Sequence, residues 1–238
     1  MSTGIFTFDK NFKPGANGDF KVYLADGLSK ECIGKTLNKG VRMLLDDGCD
    51  NVIFLGKGCT AQHETVKGHL AHLEKHMYPL VTCGRILHRD SLWKDFRELG
   101  TGRHLNLFNG SGTIIQNPMV FTSGLGISVA NFGMNRSAID RIGRFTRMYF
   151  EGHGPFPEMD ESFNLGGYGK VLSMCAWCSR VTVFMLPTGI LDAVVYDAEG
   201  GNPYNTGSDD GTEVIGSLKE KMAKMPLGLD FFDSAQDY

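Results

Sequence analysis

Six cations stand where a chain can meet phosphate. Lys30, Lys35 and Lys39 fall in or just after a turn that opens a helix, Lys57 lies in a second turn, and Arg85 and Arg89 stand at the end of a strand. Phosphate contact needs mobile cations and unpaired backbone N–H groups, which turns and helix starts supply. The same six would also make a solvated basic face. Around Lys57 the chain reads Gly56-Lys57-Gly58-Cys59-Thr60, a glycine-rich turn between an apolar strand and a helix. Such a turn could cradle a phosphorylated ligand. It lacks the spacing of a P-loop, and no G-x-G-x-x-G follows it.

His69, His72 and His76 recur at i, i+3 and i+7 and share a helix face, with His63 upstream. Zinc could use two or three of them together with Cys59 or Cys83. Paired C-x-x-C ligands are missing, so the expectation is a polar or interface face, weakly basic when protonated. Cys175-Ala176-Trp177-Cys178 has the spacing of redox dithiols. Inside an apolar segment it reads as two buried thiols. G-x-S-x-G, H-E-x-x-H and EF-hand patterns are absent, and Asp192 and Asp197 are not spaced as an acid–base pair. No catalytic residue, cofactor or metal is expected.

The elements that must position these residues run from 19 to 86. Phe20-Lys21-Val22-Tyr23-Leu24 alternates and is rich in β-formers, which predicts a strand. Ile33, Leu37, Val41, Leu44 and Leu45 then recur at helical spacing, and Gly48 is placed to close that helix in the left-handed region. Val52-Ile53-Phe54-Leu55 is short and wholly apolar, as a buried strand is. Residues 61–78 carry Val66, Leu70, Leu73 and Met77 as the stripe of a second helix, stopped by Pro79. Residues 80–86 predict a third strand.

This order, with Gly34-Lys35-Thr36-Leu37-Asn38-Lys39-Gly40-Val41-Arg42 in the first helix and Gly56-Lys57-Gly58 after the second strand, resembles the Alba family of nucleic-acid-binding proteins. The resemblance covers about the first third of the chain. It implies an α+β fold, βαβαβ(β), with a large insertion or C-terminal α/β extension, and a homo- or heterodimer. It also implies contact with the nucleic-acid backbone through Lys30 or Lys35 in the first turn and through the loop at Lys57. Arg85 and Arg89 would then belong to the hairpin of the third and fourth strands. The fourth strand itself has three candidates, at 103–108, 113–116 and 180–186.

Beyond 86 the pattern loosens. Residues 1–18 read as an N-terminal arm with a short edge strand at Ile5-Phe6-Thr7-Phe8, 19–116 as the nucleic-acid-binding domain, and 117–238 as an α/β extension with an acidic tail. Residues 87–99 have the spacing of a short helix. Residues 135–150 predict a helix with Ile139, Ile142, Phe145 and Tyr149 on one side and Arg136, Arg141, Arg144 and Arg147 on others. Residues 171–186 are apolar and read as a strand with 190–196 as its antiparallel partner, and 213–225 as a last helix.

Charge is unevenly spread. Residues 1–150 hold 19 Lys and Arg against 13 Asp and Glu, a balance of +6. Residues 151–238 hold 5 against 14, a balance of −9, which together make the −3 of the whole chain. A basic first part and an acidic last part suit a nucleic-acid-binding module with an acidic extension. There is no basic segment followed by an apolar core at the start, no Arg before Arg42, and no run near the ~18 apolar residues of a membrane span. The six cysteines are expected as reduced thiols of an intracellular protein, cytoplasmic or nuclear, or of an organelle where a presequence has been removed. The expectation is an RNA-binding protein, with DNA as the other option, that works by charge and shape as a subunit of a ribonucleoprotein and does not enter membranes. The alternatives are an enzyme binding a phosphorylated ligand at Gly56-Lys57-Gly58 and a purely structural subunit of a large complex.

Overall fold

The computed structural model describes residues 1–10, 12, 20–25, 33–56, 59–61, 63–88, 113–115, 127, 131–150, 154–158, 165–186 and 194–197. In chain order the elements are β1 (Thr3–Thr7), β2 (Phe20–Leu24), α1 (Ile33–Asp46), β3 (Asn51–Leu55), β4 (Cys59–Ala61), α2 (His63–Leu73), β5 (Leu80–Cys83), β6 (Arg85–His88), β7 (Thr113–Ile115), β8 (Asn131–Asn135), α3 (Arg136–Tyr149), α4 (Leu165–Cys178), β9 (Thr182–Met185) and β10 (Val194–Asp197). Seven strands make one mixed sheet in the order β2-β1-β3-β8-β5-β9-β7, and β4, β10 and β6 make a second. The architecture is thus mixed α/β, compatible with the expected α+β class. The large sheet draws strands from all three segments into which the sequence divides.

Local signals hold best in α1 and β3. Leu37, Val41 and Leu44 are buried on α1, and all five residues of β3 are buried. Gly48 takes φ +81° just past α1. Its N–H donates to Leu45 O at 2.9 Å and that of Cys49 to Leu44 O at 3.0 Å, closing the helix as its glycine suggested. The predicted third strand divides at Gly84 into β5 in the large sheet and β6 in the small one.

Register sorts the helices onto two faces. Phe6, Phe54 and Phe132 are direct neighbours across β1, β3 and β8, so their side chains share a face. Phe54 stacks on Phe132 with centroids 4.3 Å apart, and Phe156 stands edge-on to both. Such aromatic contacts are worth about 0.5–1.5 kcal/mol each beyond the area they bury. α1 covers this face so closely that a Cβ on Gly40 would stand 2.1 Å from the Phe6 ring. The backbone at Gly133, one residue on, faces the other way, toward Leu73 and His69 of α2. α1, α3 and α4 therefore lie on one face and α2 on the other.

Several expectations are corrected. The segment read as an edge strand at 5–8 is β1, Thr3–Thr7, which pairs parallel with both β2 and β3 and is buried throughout. Covered on both faces, it carries no alternation to mark it. The antiparallel neighbour of β5 is β8, which none of the three fourth-strand candidates included. Of those, 113–115 forms β7 and pairs antiparallel with β9, while β9 pairs parallel with β5; 103–108 lies outside the described residues. The strand expected over 171–186 is helix as far as Cys178 and strand only over Thr182–Met185. Residues Val171 to Ala176 are all buried, so this helix has no polar stripe to show a 3.6-residue period. β10 pairs with β4 and β6 and not with β9. The helix expected over 87–99 is described only at 87 and 88, where the chain is strand, and that over 213–225 lies outside the described residues.

Candidate functional site

α1 and α3 run side by side and enclose a groove of about 450 Å³. Its apolar floor is Val41, Leu45, Ile139 and Pro155, and its walls carry Arg42 and Asp46 from α1 and Arg136, Asp140, Arg144 and Arg147 from α3. Four guanidinium groups against two carboxylates leave a net +2. Lys35 and Lys39 do not line the groove but share a face of α1 with Arg42, because 35, 39 and 42 fall at i, i+4 and i+7. All three are exposed, as are Arg144 and Arg147.

Sequence explains how the walls are held. α3 starts at Asn135, whose side chain accepts from the Ala138 N–H at 3.0 Å and caps the helix. The same amide oxygen accepts from Leu80 N–H at 3.1 Å, and its NH2 donates to Tyr78 O at 2.7 Å. One side chain thus ties α3 to the chain entering β5. At the other end, buried Asn38 of α1 donates to Phe156 O at 2.9 Å and accepts from Phe156 N–H at 2.9 Å. Gly154 lies against it, where a Cβ would stand 2.0 Å from the Asn38 amide oxygen. Gly143 opens room on α3, and an Arg147 guanidinium nitrogen lies 3.4 Å from where its Cβ would be. Arg136 and Asp140 form an i, i+4 pair at 3.5 Å, with both side chains about half exposed (51% and 53%). Such a pair in water is worth at most about 1 kcal/mol, so it leaves Arg136 open to a stronger anion.

The histidines do not share one environment. His69 is fully buried, and burial pushes it down to about 4 from its ordinary 6.5. The ring is neutral at pH 7. Its Nε2–H donates to Asn131 Oδ1 at 2.7 Å, so Nδ1 accepts from the Thr82 hydroxyl at 2.8 Å. The expected shared face therefore fails at His69, which belongs to the core. His72 is half-buried with its ring 4.3 Å from that of Phe184, and burial, His76 and Lys75 lower its pKa. Among the described residues no three His, Cys, Asp or Glu side chains are placed to hold a metal ion. In the C-x-x-C segment Cys175 is buried and Cys178 half-buried. Burial raises both thiols, Cys178 to about 12, which keeps them protonated and poorly nucleophilic.

Of the six cations singled out in the sequence, Lys35 and Lys39 stand exposed on α1 beside the groove. Arg85 opens β6, where its backbone registers with Val194, and Lys30, Lys57 and Arg89 lie outside the described residues. Arg42, Arg136, Arg144 and Arg147, which line the groove, are not among those six cations. Their signal was present, as Arg42 follows Lys39 by three residues and three arginines repeat along α3 on its groove side. What no periodicity could show is that two helices about a hundred residues apart in the chain share a groove. No protein-family model and no curated protein matches the chain. No helix of the described residues is long and apolar enough to cross a membrane.

Proposed function

We propose that the protein binds nucleic acid, RNA foremost, along the α1–α3 groove, as an Alba-like subunit of a ribonucleoprotein and without chemistry of its own. The observation that carries this reading is the set of exposed guanidinium groups on both walls of the groove, with Lys35 and Lys39 exposed on the same helix as Arg42. Guanidinium forks match phosphate oxygens, and two cationic walls about a shared floor track a backbone without reading its sequence. The Alba-like part of the reading is supported by the order β2, α1, β3, α2, β5, with the short β4 between β3 and α2, and by β8, which pairs antiparallel with β5 as a fourth strand would. β1, inserted between β2 and β3, and the added strands β9 and β7 go beyond that pattern.

The test is the salt dependence of RNA affinity. Each phosphate neutralised on a single strand contributes about 0.7 to the slope of log K against log salt. Arg42→Ala, Arg144→Ala and Arg147→Ala combined should lower that slope by about two and weaken binding for all sequences alike. Since these side chains are exposed, the fold should persist. Unchanged affinity and slope would show that the groove is not the binding site.

A further inference from the structure

We infer that a row of rings at the end of α2 takes unpaired bases of the same nucleic acid whose phosphates the groove holds; this rests on the reading of the groove given above. Four rings follow one another there. Phe184 meets His72 with centroids 4.3 Å apart, His72 meets His76 at 6.4 Å with planes within 12°, and His76 meets Tyr78 at 4.9 Å. Tyr78 is 41% exposed, and the other three are half-buried. A core cluster would be sealed, whereas each residue of this row keeps some exposure and the row ends on exposed Tyr78. Each base offers a π-face, so such a row holds single strands without demanding a sequence. A duplex keeps its bases stacked and paired, out of reach of the rings.

Position links the row to the groove. Asn135 bonds Tyr78 O on one side and caps α3 on the other. Arg136, the next residue, is a groove cation. The groove lies on the face of α1 and α3 and the row on that of α2, so a strand leaving the groove past Arg136 would round the end of the sheet at Asn135 to reach Tyr78. The surroundings are cationic as well. Lys75 is exposed in the same turn, opposed there by Glu74. Arg180 is exposed two residues before Thr182, whose N–H donates to Pro79 O at 3.0 Å. Arg141 donates to Arg180 O at 3.4 Å, which brings a second guanidinium to that turn.

Arg180 adds an independent sign. It stands at φ 55°, closing α4 with its own N–H on Trp177 O and the Val181 N–H on Ala176 O, both at 2.9 Å. Glycine is the residue that fills this left-handed position at least cost. An arginine kept there at a conformational cost fits a charge that is used.

The experiment measures binding of the full chain to fluorescein-labelled U20 RNA and to a 20-base-pair RNA duplex at several salt concentrations. Tyr78→Ala and His76→Ala should each weaken U20 binding about fivefold or more, leave the salt slope unchanged, and leave duplex binding unchanged. Tyr78→Phe, which keeps the ring, should bind as the parent does, and so should Met77→Ala, which removes an 86% exposed side chain without a ring. The Tyr78 backbone carbonyl that holds Asn135 survives in every variant, so the fold is not at stake. Equal losses on U20 and duplex, or no loss on U20, would overturn the inference. If the ring variants bind U20 as the parent does while the groove variants lose it, only the base contact is wrong. If the parent binds neither RNA, the groove reading fails and takes the ring row with it.

Discussion

Acidification from pH 7 to pH 5 should destabilise the fold through His69. The buried ring is held near 4, against the ordinary 6.5 that it regains in the unfolded chain. A histidine with a depressed folded pKa binds its proton more readily when unfolded. Stability is therefore complete above pH 6.5, falls as pH drops below 6.5, and levels off below about 4. The full span of 2.5 units corresponds to about 3 kcal/mol at roughly 1.36 kcal/mol per unit. Between pH 7 and pH 5, where few carboxylates titrate, linkage assigns about 2 kcal/mol to this one residue. That is a large share of the 5–15 kcal/mol, roughly, that stabilises a domain. Urea unfolding followed by circular dichroism at half-unit pH steps would measure it, as a shift in midpoint at constant m. His72, also depressed, adds loss in the same direction and window. His69→Gln should start about 1–3 kcal/mol less stable, because Thr82 and Asn131 lose well-placed partners. It should also lose most of the slope between pH 7 and pH 5. A parent whose stability is flat over this range, or a His69→Gln variant that keeps the full slope, would refute a neutral His69 inside the core.

Arg180→Gly should raise stability by about 1 kcal/mol by relieving the left-handed strain at φ 55°, while weakening U20 affinity severalfold. Thermal melts paired with binding curves separate the two effects, and a variant that gains stability with no loss of affinity would leave Arg180 without a binding role. Asn38→Ala should cost about 2–4 kcal/mol, since it leaves both the N–H and the C=O of Phe156 unpaired in the core. Denaturant midpoints report it, and a loss under 1 kcal/mol would mean that the 154–158 segment is held by other contacts.

Sequence alone determined what is written in short-range periodicity. α1 shows its face because one side meets the sheet and the other meets water, and Gly48 marks its end because glycine takes the positive φ of that closure at least cost. β3 was legible as a brief apolar run between Asn51 and Gly56. The exposure of Lys35 and Lys39 likewise follows from helical spacing. Tertiary structure alone decided the rest. β1 and residues 171–176 of α4 are buried throughout, so these stretches lack the polar half that makes a period visible, and the apolar stretch over 171–178 folds as a helix where a strand was expected. β8 is placed between β3 and β5 by pairing with strands far away in the chain, which local propensity does not encode. His69 was one of a row of histidines until packing put it against Thr82 and Asn131 and removed its water, and with the water its charge. The groove exists because Asn38 and Asn135 anchor two helices whose arginines, taken separately, look like ordinary solvated side chains. Charge becomes a site only when two walls hold it across one floor, and that is a property of distance in space, not along the chain.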